Sequence, residues 1–386
     1  MVYGLLLLMM IDTNNYCAVC HSDIQAQYTN SIHKSEQIRC KDCHGGDASS
    51  EDMNKAHGGD YKGILEKKLS LELCASCHSD LKKMKPYGLP ADQYALYMTS
   101  FHGIRFAEGD NNSAVCTDCH GSHTITKSND PMNPVYKTNI ARTCSNCHDN
   151  KTIMKNYTVS SGAGYEYLKS IHADELYKKG NRQAPTCTDC HGTHGAAPPG
   201  VADVAKVCGQ CHRDARDYFL QSPHKKAMDS RQIPECVACH DNHKVMKATI
   251  EDLHTLCKKC HDKGTSQARS AEKIFTMFTA TRDQLDSAQK AIKEAESIPI
   301  NVEDYKSRIE EAYTYYTRAF SMTHSLKMEL FQDLLDKSRK IAEEVQSEIH
   351  GKKSEINDRK LIFIALWFYI VITIVVIYQY KKSKTE

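Results

Sequence analysis

The last third of the chain has a helical pattern of apolar residues. From about Gln267 to Ser297 they recur every three or four positions, which predicts an amphipathic helix that Pro299 ends. The spacing resumes at Val302 and predicts a second, longer helix. Its apolar residues are Tyr305, Ile309, Ala312, Tyr316, Ala319, Leu326, Leu330, Leu334, Ile341 and Val345. We expect residues 265–358 to form an antiparallel helical hairpin, which could also mediate oligomerisation.

A long uncharged segment follows this hairpin. Leu361 to Tyr380 comprises 20 residues without a charge, and as a helix it would span about 30 Å, the thickness of a bilayer core. The pattern predicts a C-terminal transmembrane anchor within residues 359–386, ending in a short basic tail. A buried core helix is the alternative.

Another apolar stretch lies at the beginning of the chain. Tyr3 to Ile11 resembles the hydrophobic region of a secretory signal, but a basic start and a small-residue cleavage site are missing. We interpret residues 1–15 as a signal-like or truncated lead segment, with a structural N-terminal helix as the alternative.

The region between these segments, residues 16–264, has no long aliphatic run but contains every cysteine of the chain. All 18 cysteines fall in nine copies of the pattern Cys-x-x-Cys-His, which we number in chain order. The cysteine pairs are Cys17 and Cys20, Cys40 and Cys43, Cys74 and Cys77, Cys116 and Cys119, Cys144 and Cys147, Cys187 and Cys190, Cys208 and Cys211, Cys236 and Cys239, and Cys257 and Cys260. The histidines that end the copies are His21, His44, His78, His120, His148, His191, His212, His240 and His261.

This pattern is the attachment motif of haem c. Two thiols three residues apart can form thioethers with the two vinyl groups of one porphyrin, and the adjacent histidine becomes the proximal ligand of the iron. Zinc knuckles, redox dithiols and disulfides also use Cys-x-x-Cys, but none of them requires the following histidine. The sequence therefore predicts nine covalently bound haem c groups with their iron, attached outside the cytoplasm.

The composition of this region agrees with that prediction. It offers only about 27 residues for each haem, too few for an apolar core made of side chains. We expect porphyrin to supply most of the buried hydrophobic mass. The formal net charge of the chain is +2, and nine oxidised haems with ionised propionates would change it to roughly −7.

Four sequence repeats cover residues 30–261. Each begins with Ser-x-His, continues through one copy, usually has a trailing histidine three residues later, and ends with a second copy. The Ser-x-His histidines are His33, His102, His172 and His224, and the trailing histidines are His123, His194 and His243. Together with His57 and His254 they provide nine candidates for nine distal iron ligands, so we expect two histidine ligands at most haems. Methionine, the alternative distal ligand, shows no repeated position.

The position of each candidate distal histidine along the chain suggests which iron it binds. A trailing histidine is held too close to its own proximal histidine to reach the far face of that haem, so we expect it to bind another haem. We expect each Ser-x-His histidine to return to the copy just before it, which assigns the four to the first, third, fifth and seventh irons. His57, the trailing histidines and His254 would then serve the even irons and the ninth, with His324 as a competitor for the ninth.

The repeat, as in SIHADELYKKGNRQAPTCTDCHGTHG, resembles the multihaem cytochrome c superfamily, which includes cytochrome c3-like carriers, octahaem hydroxylamine oxidoreductases and pentahaem nitrite reductases. The resemblance covers residues 17–261. The helices that follow resemble the C-terminal helices of the oxidoreductase branch. Nine copies match neither five nor eight haems, and the Cys-x-x-Cys-Lys motif of the nitrite reductases is missing, so no active-site residue is carried over.

We therefore predict a mainly α protein with extensive coil that moves electrons between a membrane-side donor and an extracytoplasmic acceptor. Iron with two histidine ligands has no open site for a substrate, which favours a carrier without catalytic residues over an enzyme. The alternative is a multihaem oxidoreductase, similar to hydroxylamine oxidoreductase, acting on a small nitrogen or sulfur compound at one open haem. Expected partners are redox proteins and membrane lipid, with no nucleic acid. The haem region would lie on the periplasmic face of the cytoplasmic membrane, with the basic tail in the cytoplasm.

Overall fold

The computed structural model describes residues 15–159, 161–197, 204–231 and 235–385, and these residues form helices and coil without a β-strand. The expected mainly α fold with extensive coil is confirmed. The apolar lead stretch, Tyr3 to Ile11, lies outside the described residues. The described residues form two compact units, one within Met1–Val204 and His240–Lys247 and the other within Ala205–Cys239 and Ala248–Glu386.

The helices before residue 264 are short, because most of them are a Cys-x-x-Cys-His copy or a capped turn beside one. They are α1 (Tyr16–Cys20), α2 (Ser22–Tyr28), α3 (Ile32–Ser35), α4 (Cys40–His44), α5 (Met53–Ala56), α6 (Lys67–His78), α7 (Leu81–Met84), α8 (Gln93–Thr99), α9 (Phe101–Ala107), α10 (Cys116–His120), α11 (Ile140–His148), α12 (Lys151–Met154), α13 (Ala163–Tyr167), α14 (Ile171–Ala173), α15 (Cys187–His191), α16 (Val204–Gly209), α17 (Arg213–Leu220), α18 (Pro223–Arg231), α19 (Val237–His240) and α20 (Ile250–Leu256). Single 3₁₀ turns lie at Lys85–Tyr87 and Cys257–Lys259, and a π turn lies at Asp174–Lys178.

Hydrogen bonds between successive repeats hold the first unit together. The amide that follows the serine of Ser-x-His donates to the carbonyl two residues beyond a trailing histidine of the next repeat. These bonds join Ile32 to Ile125 at 2.7 Å, Phe101 to Ala196 at 2.9 Å and Ile171 to Val245 at 2.8 Å. Because the same bond recurs three times, each repeat is fixed to the one that follows it.

Apolar clusters in the first unit are small. One joins Leu71, Tyr97 and Val115, and another consists of Ala141, Tyr167 and Ala173. Cysteines of the haem motifs pack directly on these clusters. Such small clusters agree with the expectation that the polypeptide of this region builds little core of its own.

Three long helices dominate the second unit. They are α21 (Ser266–Ala295), α22 (Glu303–Met322) and α23 (Met328–Thr385), and both α21 and α22 pack on α23. Their buried residues form two apolar clusters together with Val302, which precedes α22, and Ile250 of α20. The first cluster contains Leu285, Ala288, Ala291, Ile292, Ala295, Val302, Tyr305, Ile309, Ala312, Ala342, Val345 and Ile349. The second contains Ile250, Ile274, Phe278, Ala319, Phe331 and Leu335.

The predicted helix from Val302 to Val345 is interrupted. A 3₁₀ turn at Thr323–Ser325 is followed by Leu326, whose φ of 58° lies in the left-handed region and ends the helix. α23 therefore begins with a new register, in which Phe331 is buried and the expected core residue Leu330 is exposed.

The C-terminal part of α23 is apolar and exposed. Among the described residues, one helix is long and apolar enough to cross a membrane, and it is α23. Residues 361–380 expose nearly all of their large apolar side chains. The helix continues from the packed bundle into this segment without a break, as the prediction of a C-terminal membrane-spanning helix requires.

Candidate functional site

All eighteen cysteines lie within the described residues and form no disulfide. Each copy occupies a helix or a turn, as in α4 and α10, so its two cysteines lie on one face. Both thiols of each copy are thus placed to reach the same porphyrin.

Proximal histidines face a second histidine ring, with 6.0–6.2 Å between ring centres. These pairs are His21 and His57, His44 and His123, His78 and His33, His120 and His194, His148 and His102, His191 and His243, and His261 and His224. His172, His212, His240 and His324 also interact with neighbouring groups.

The spacing of these rings fits an iron between them. Two metal–nitrogen bonds of about 2 Å, with about 1 Å more from each nitrogen to its ring centre, span about 6 Å. Two thiols, an adjacent histidine and a second imidazole opposite it are the donor set of haem c with two histidine ligands. The residues present therefore fit the cofactor that the motifs predict.

The position of a histidine in its repeat decides which partner it faces. Each Ser-x-His histidine in a pair faces the proximal histidine that ends its own repeat, as His33 faces His78. Each trailing histidine faces the first proximal histidine of the preceding repeat, as His123 faces His44. This agrees with the prediction that a trailing histidine serves a haem other than its own.

The predicted return of Ser-x-His histidines to the copy just before them is wrong. His33 faces His78 of the third copy, while His57 faces His21 of the first. The reason is the hydrogen bond between the Ile32 amide and the Ile125 carbonyl, which ties this segment to the following repeat.

The same correction applies to the other Ser-x-His histidines. His102 faces His148, so the fifth copy already has a partner and is not served by His172. His224 faces His261 of the ninth copy, so neither His254 nor His324 is needed there.

His254, a predicted distal ligand, packs against α21 instead. Its Nδ1 lies 2.9 Å from the Glu272 carboxylate, and its ring centre lies 5.1 Å from that of Phe275. The structure therefore does not bring His254 to the histidine of an attachment motif, and the spacing of histidines along the sequence does not show that α21 lies against this side chain.

Burial keeps many of these imidazoles in the neutral form that binds a metal. It lowers the pKa of His33, His78, His102, His120, His123, His148, His194, His224 and His243. Since a protonated imidazole cannot bind a metal, the site favours ligation at neutral pH before any metal arrives.

The cysteines of successive copies come together in two alternating ways. First cysteines share thiol hydrogen bonds between Cys74 and Cys116, between Cys144 and Cys187, and between Cys208 and Cys236. Second cysteines interact electrostatically between Cys43 and Cys77, between Cys119 and Cys147, and between Cys239 and Cys260. Within each unit, attachment sites therefore follow one another in space in their order along the chain.

The serine of Ser-x-His is an N-cap. The Ser100 hydroxyl accepts a hydrogen bond from the Gly103 amide at 2.9 Å, and the Ser170 hydroxyl accepts one from the Ala173 amide at 3.1 Å. Both serines are buried. The cap starts a helical turn and so fixes the direction in which the histidine two residues later projects.

A tyrosine three residues before this serine was not recognised in the sequence. The hydroxyls of Tyr28, Tyr97 and Tyr167 donate to a carbonyl two residues ahead of a first cysteine, at 2.6, 3.0 and 2.9 Å. An alignment of YTNSIH, YMTSFH and YLKSIH would have shown them, whereas the fourth repeat has FLQSPH and no hydroxyl. The tyrosines link each Ser-x-His turn to the copy that follows it.

An aspartate inside the second, fourth and sixth copies fixes their helices. The carboxylates of Asp42, Asp118 and Asp189 accept the amide that precedes the first cysteine, at 2.6, 2.8 and 2.7 Å. This bond satisfies an amide that the first helical turn leaves without a partner.

The same copies end in a left-handed residue after the proximal histidine. Gly45, Gly121 and Gly192 have φ of 69°, 76° and 84°, which glycine adopts without steric cost. Asp241 holds this position in the eighth copy with φ of 67°. The turn sends the chain away from its own proximal histidine, which explains why trailing histidines face other copies.

Two family models match the chain. A cytochrome c3 model matches residues 108–213, and a model for cytochrome c554 and c-prime matches residues 207–286. Comparisons with curated proteins and with solved structures found no match. The two family matches support a multihaem c-type cytochrome family with covalently bound haem c, and they support haem-based electron transfer.

Proposed function

We propose that this chain is a membrane-anchored electron carrier with nine c-type haems, most of them held by two histidines. The observation that carries the proposal is the repeated facing of a proximal histidine and a second histidine about 6 Å away. When bound, haem iron takes up and releases single electrons. The chain supplies the thiols that fix each porphyrin and the imidazoles that occupy both axial positions.

The ring pairs define the proposed ligands. His57 serves the first copy, the trailing histidines serve the second, fourth and sixth, and Ser-x-His histidines serve the third, fifth and ninth. With both axial positions occupied by side chains, an iron offers no site to a substrate, which favours a carrier over an oxidoreductase.

The alternating cysteine contacts support conduction along the chain. Cys74 and Cys116 lie within hydrogen-bond reach of each other, which places the attachment points of neighbouring porphyrins side by side. Electrostatic interactions between second cysteines, as between Cys43 and Cys77, connect one such pair to the next. We infer that within each unit electrons pass between haems in sequence order, because the cysteines of consecutive copies interact with one another there.

The C-terminal helix supports a location at a membrane. We propose that residues 361–380 of α23 anchor the chain and that the haem region lies on the extracytoplasmic side, where c-type haem attachment takes place. The basic tail would then lie in the cytoplasm. Electron donors and acceptors would be redox proteins that approach the haem region from either end of the series.

Carbon monoxide tests this proposal on the purified full-length protein, because it binds reduced haem only where an axial position is open. We expect no carbon monoxide spectrum at neutral pH, together with uptake of nine electrons in a reductive titration. A complex with one carbon monoxide per chain would contradict the carrier and favour an oxidoreductase with an open haem.

A further inference from the structure

The histidine pairs of the earlier repeats leave the first copy of the fourth repeat without an expected histidine partner. In earlier repeats the first copy faces the trailing histidine of the next repeat, as His44 faces His123 and His191 faces His243. The first copy of the fourth repeat is the eighth copy, which holds Cys236 and Cys239, and residues 265–386 contain no further repeat. If the proposed haem binding is correct, the distal ligand of the eighth haem must come from outside the repeats.

Three histidines follow the last trailing histidine in a position to supply it: His254, His324 and His350. The Nδ1 of His254 lies 2.9 Å from the Glu272 carboxylate, and its Nε2 contacts the amine of Lys258. His350 is exposed on α23. His254 would have to leave these contacts to bind a metal.

His324 lies on a turn of fixed conformation. The residues on either side of it, Thr323 and Ser325, are buried, and their hydroxyls donate to the carbonyls of Phe320 and Met322 at 2.7 and 2.8 Å. This turn is the break between α22 and α23 that the apolar pattern did not predict. It holds the imidazole in one place relative to the helices on either side.

The ring of His324 is oriented as a metal ligand should be. Its Nδ1 lies 2.9 Å from the Ser321 carbonyl, so Nδ1 carries the proton and Nε2 keeps its lone pair. The proximal histidines His44 and His191 use the same device, with Nδ1 at 3.0 Å from the Gly63 carbonyl and at 3.2 Å from the Ala197 carbonyl. Metal-binding histidines in general are held by such a bond at the other nitrogen.

The turn also lies in the right part of the second unit. It packs against α17, the helix that begins directly after the seventh copy. Cys208 of the seventh copy shares its thiol hydrogen bond with Cys236 of the eighth. Within this unit, therefore, α17 connects the turn that carries His324 to the attachment points of these two haems.

We infer that His324 is the distal ligand of the haem carried by Cys236 and Cys239. This inference rests on the proposed haem binding and goes beyond it, since it makes the C-terminal helices part of a haem site. Folding of α22 and α23 would then complete the eighth site.

The test uses the full-length protein and two substitutions of His324. With nine haems confirmed by intact mass, His324→Ala should change one haem of nine to the high-spin form in electron paramagnetic resonance. The reduced variant should bind one carbon monoxide per chain, while the unaltered protein binds none. His324→Met should keep all haems low-spin and raise the reduction potential of one, because a thioether favours the reduced iron.

Controls separate this inference from the proposal beneath it. His254→Ala and His350→Ala should give spectra like those of the unaltered protein. The inference is overturned if His254→Ala opens a haem, or if His324→Ala retains nine low-spin haems. If His324→Ala does not fold, an unchanged set of potentials in His324→Met overturns it. Fewer than nine haems in the unaltered protein would instead refute the proposed function.

Discussion

The rings of His102 and His148 face each other with their centres 6.0 Å apart, and the fourth copy lies between them in the chain. An iron bound by both would be held by residues on either side of another attachment site. The same relationship connects His33 with His78 across the second copy. If the proposed ligation is correct, each of these two haem sites is complete only when the chain has passed through a neighbouring attachment site.

Replacing His102 tests this arrangement. His102→Ala should open one axial position, so the reduced protein should bind one carbon monoxide per chain. Adding Cys144→Ala and Cys147→Ala removes the fifth haem, and the carbon monoxide signal should disappear with it. If the signal persists in the triple variant, His102 serves a different haem and the pairing is wrong.

The sequence predicted the local features of the site because they depend on spacing within a few residues. The nine attachment motifs can be read directly from spacings such as that of Cys40, Cys43 and His44, and the candidate distal histidines from their repeated positions. The partner of each distal histidine depends on bonds between distant segments, such as that from Ile32 to Ile125. No local pattern contains that information.

The helical region likewise has features that the sequence predicted and features that it did not. The periodicity predicted that α21 and the helices after Val302 would form, because each buries one apolar stripe. The break at Leu326 was missed, since leucine seldom adopts positive φ and gives no sequence signal for a helix end. The engagement of His254 by Glu272 likewise depends on the packing of α20 against α21.

The buried N-cap at Ser100 should contribute measurably to stability. Ser100→Ala removes the acceptor for the Gly103 amide, and loss of such a cap costs about 1 kcal/mol. Thermal unfolding followed by the haem Soret band should therefore shift to a lower midpoint. Thr99→Ala is the matched control, because the exposed Thr99 hydroxyl bonds only within its own helix, and it should leave the midpoint nearly unchanged.

Stability should fall at alkaline pH because of buried tyrosines. Burial raises the pKa of Tyr97 to about 12, whereas a tyrosine in the unfolded chain titrates near 10. The contribution of Tyr97 is therefore complete below about pH 10 and is lost as the pH rises towards 12.

Tyr97→Phe isolates this contribution. It should lower stability at pH 8 by about 1 kcal/mol through loss of the hydrogen bond to the Ala114 carbonyl. The loss between pH 8 and pH 11, measured by denaturant unfolding, should be smaller in the variant than in the unaltered protein. Equal pH dependence in the two proteins would show that Tyr97 titrates normally when folded.

Removing the C-terminal segment tests the membrane anchor. A chain that ends before Arg359 lacks the exposed apolar part of α23 but keeps the buried clusters of the helical bundle, which extend to Ile349. It should be recovered from the soluble fraction with its haems, whereas the full-length protein should stay in washed membranes. Retention of the truncated form in membranes would place the anchor elsewhere.

Intact mass of the purified full-length protein tests the central claim most directly. Nine complete motifs without a spare cysteine predict a mass equal to that of the processed polypeptide plus nine haems, with no thiol left for an alkylating reagent. A lower haem number, or any cysteine that reacts with the reagent after denaturation, would contradict the account.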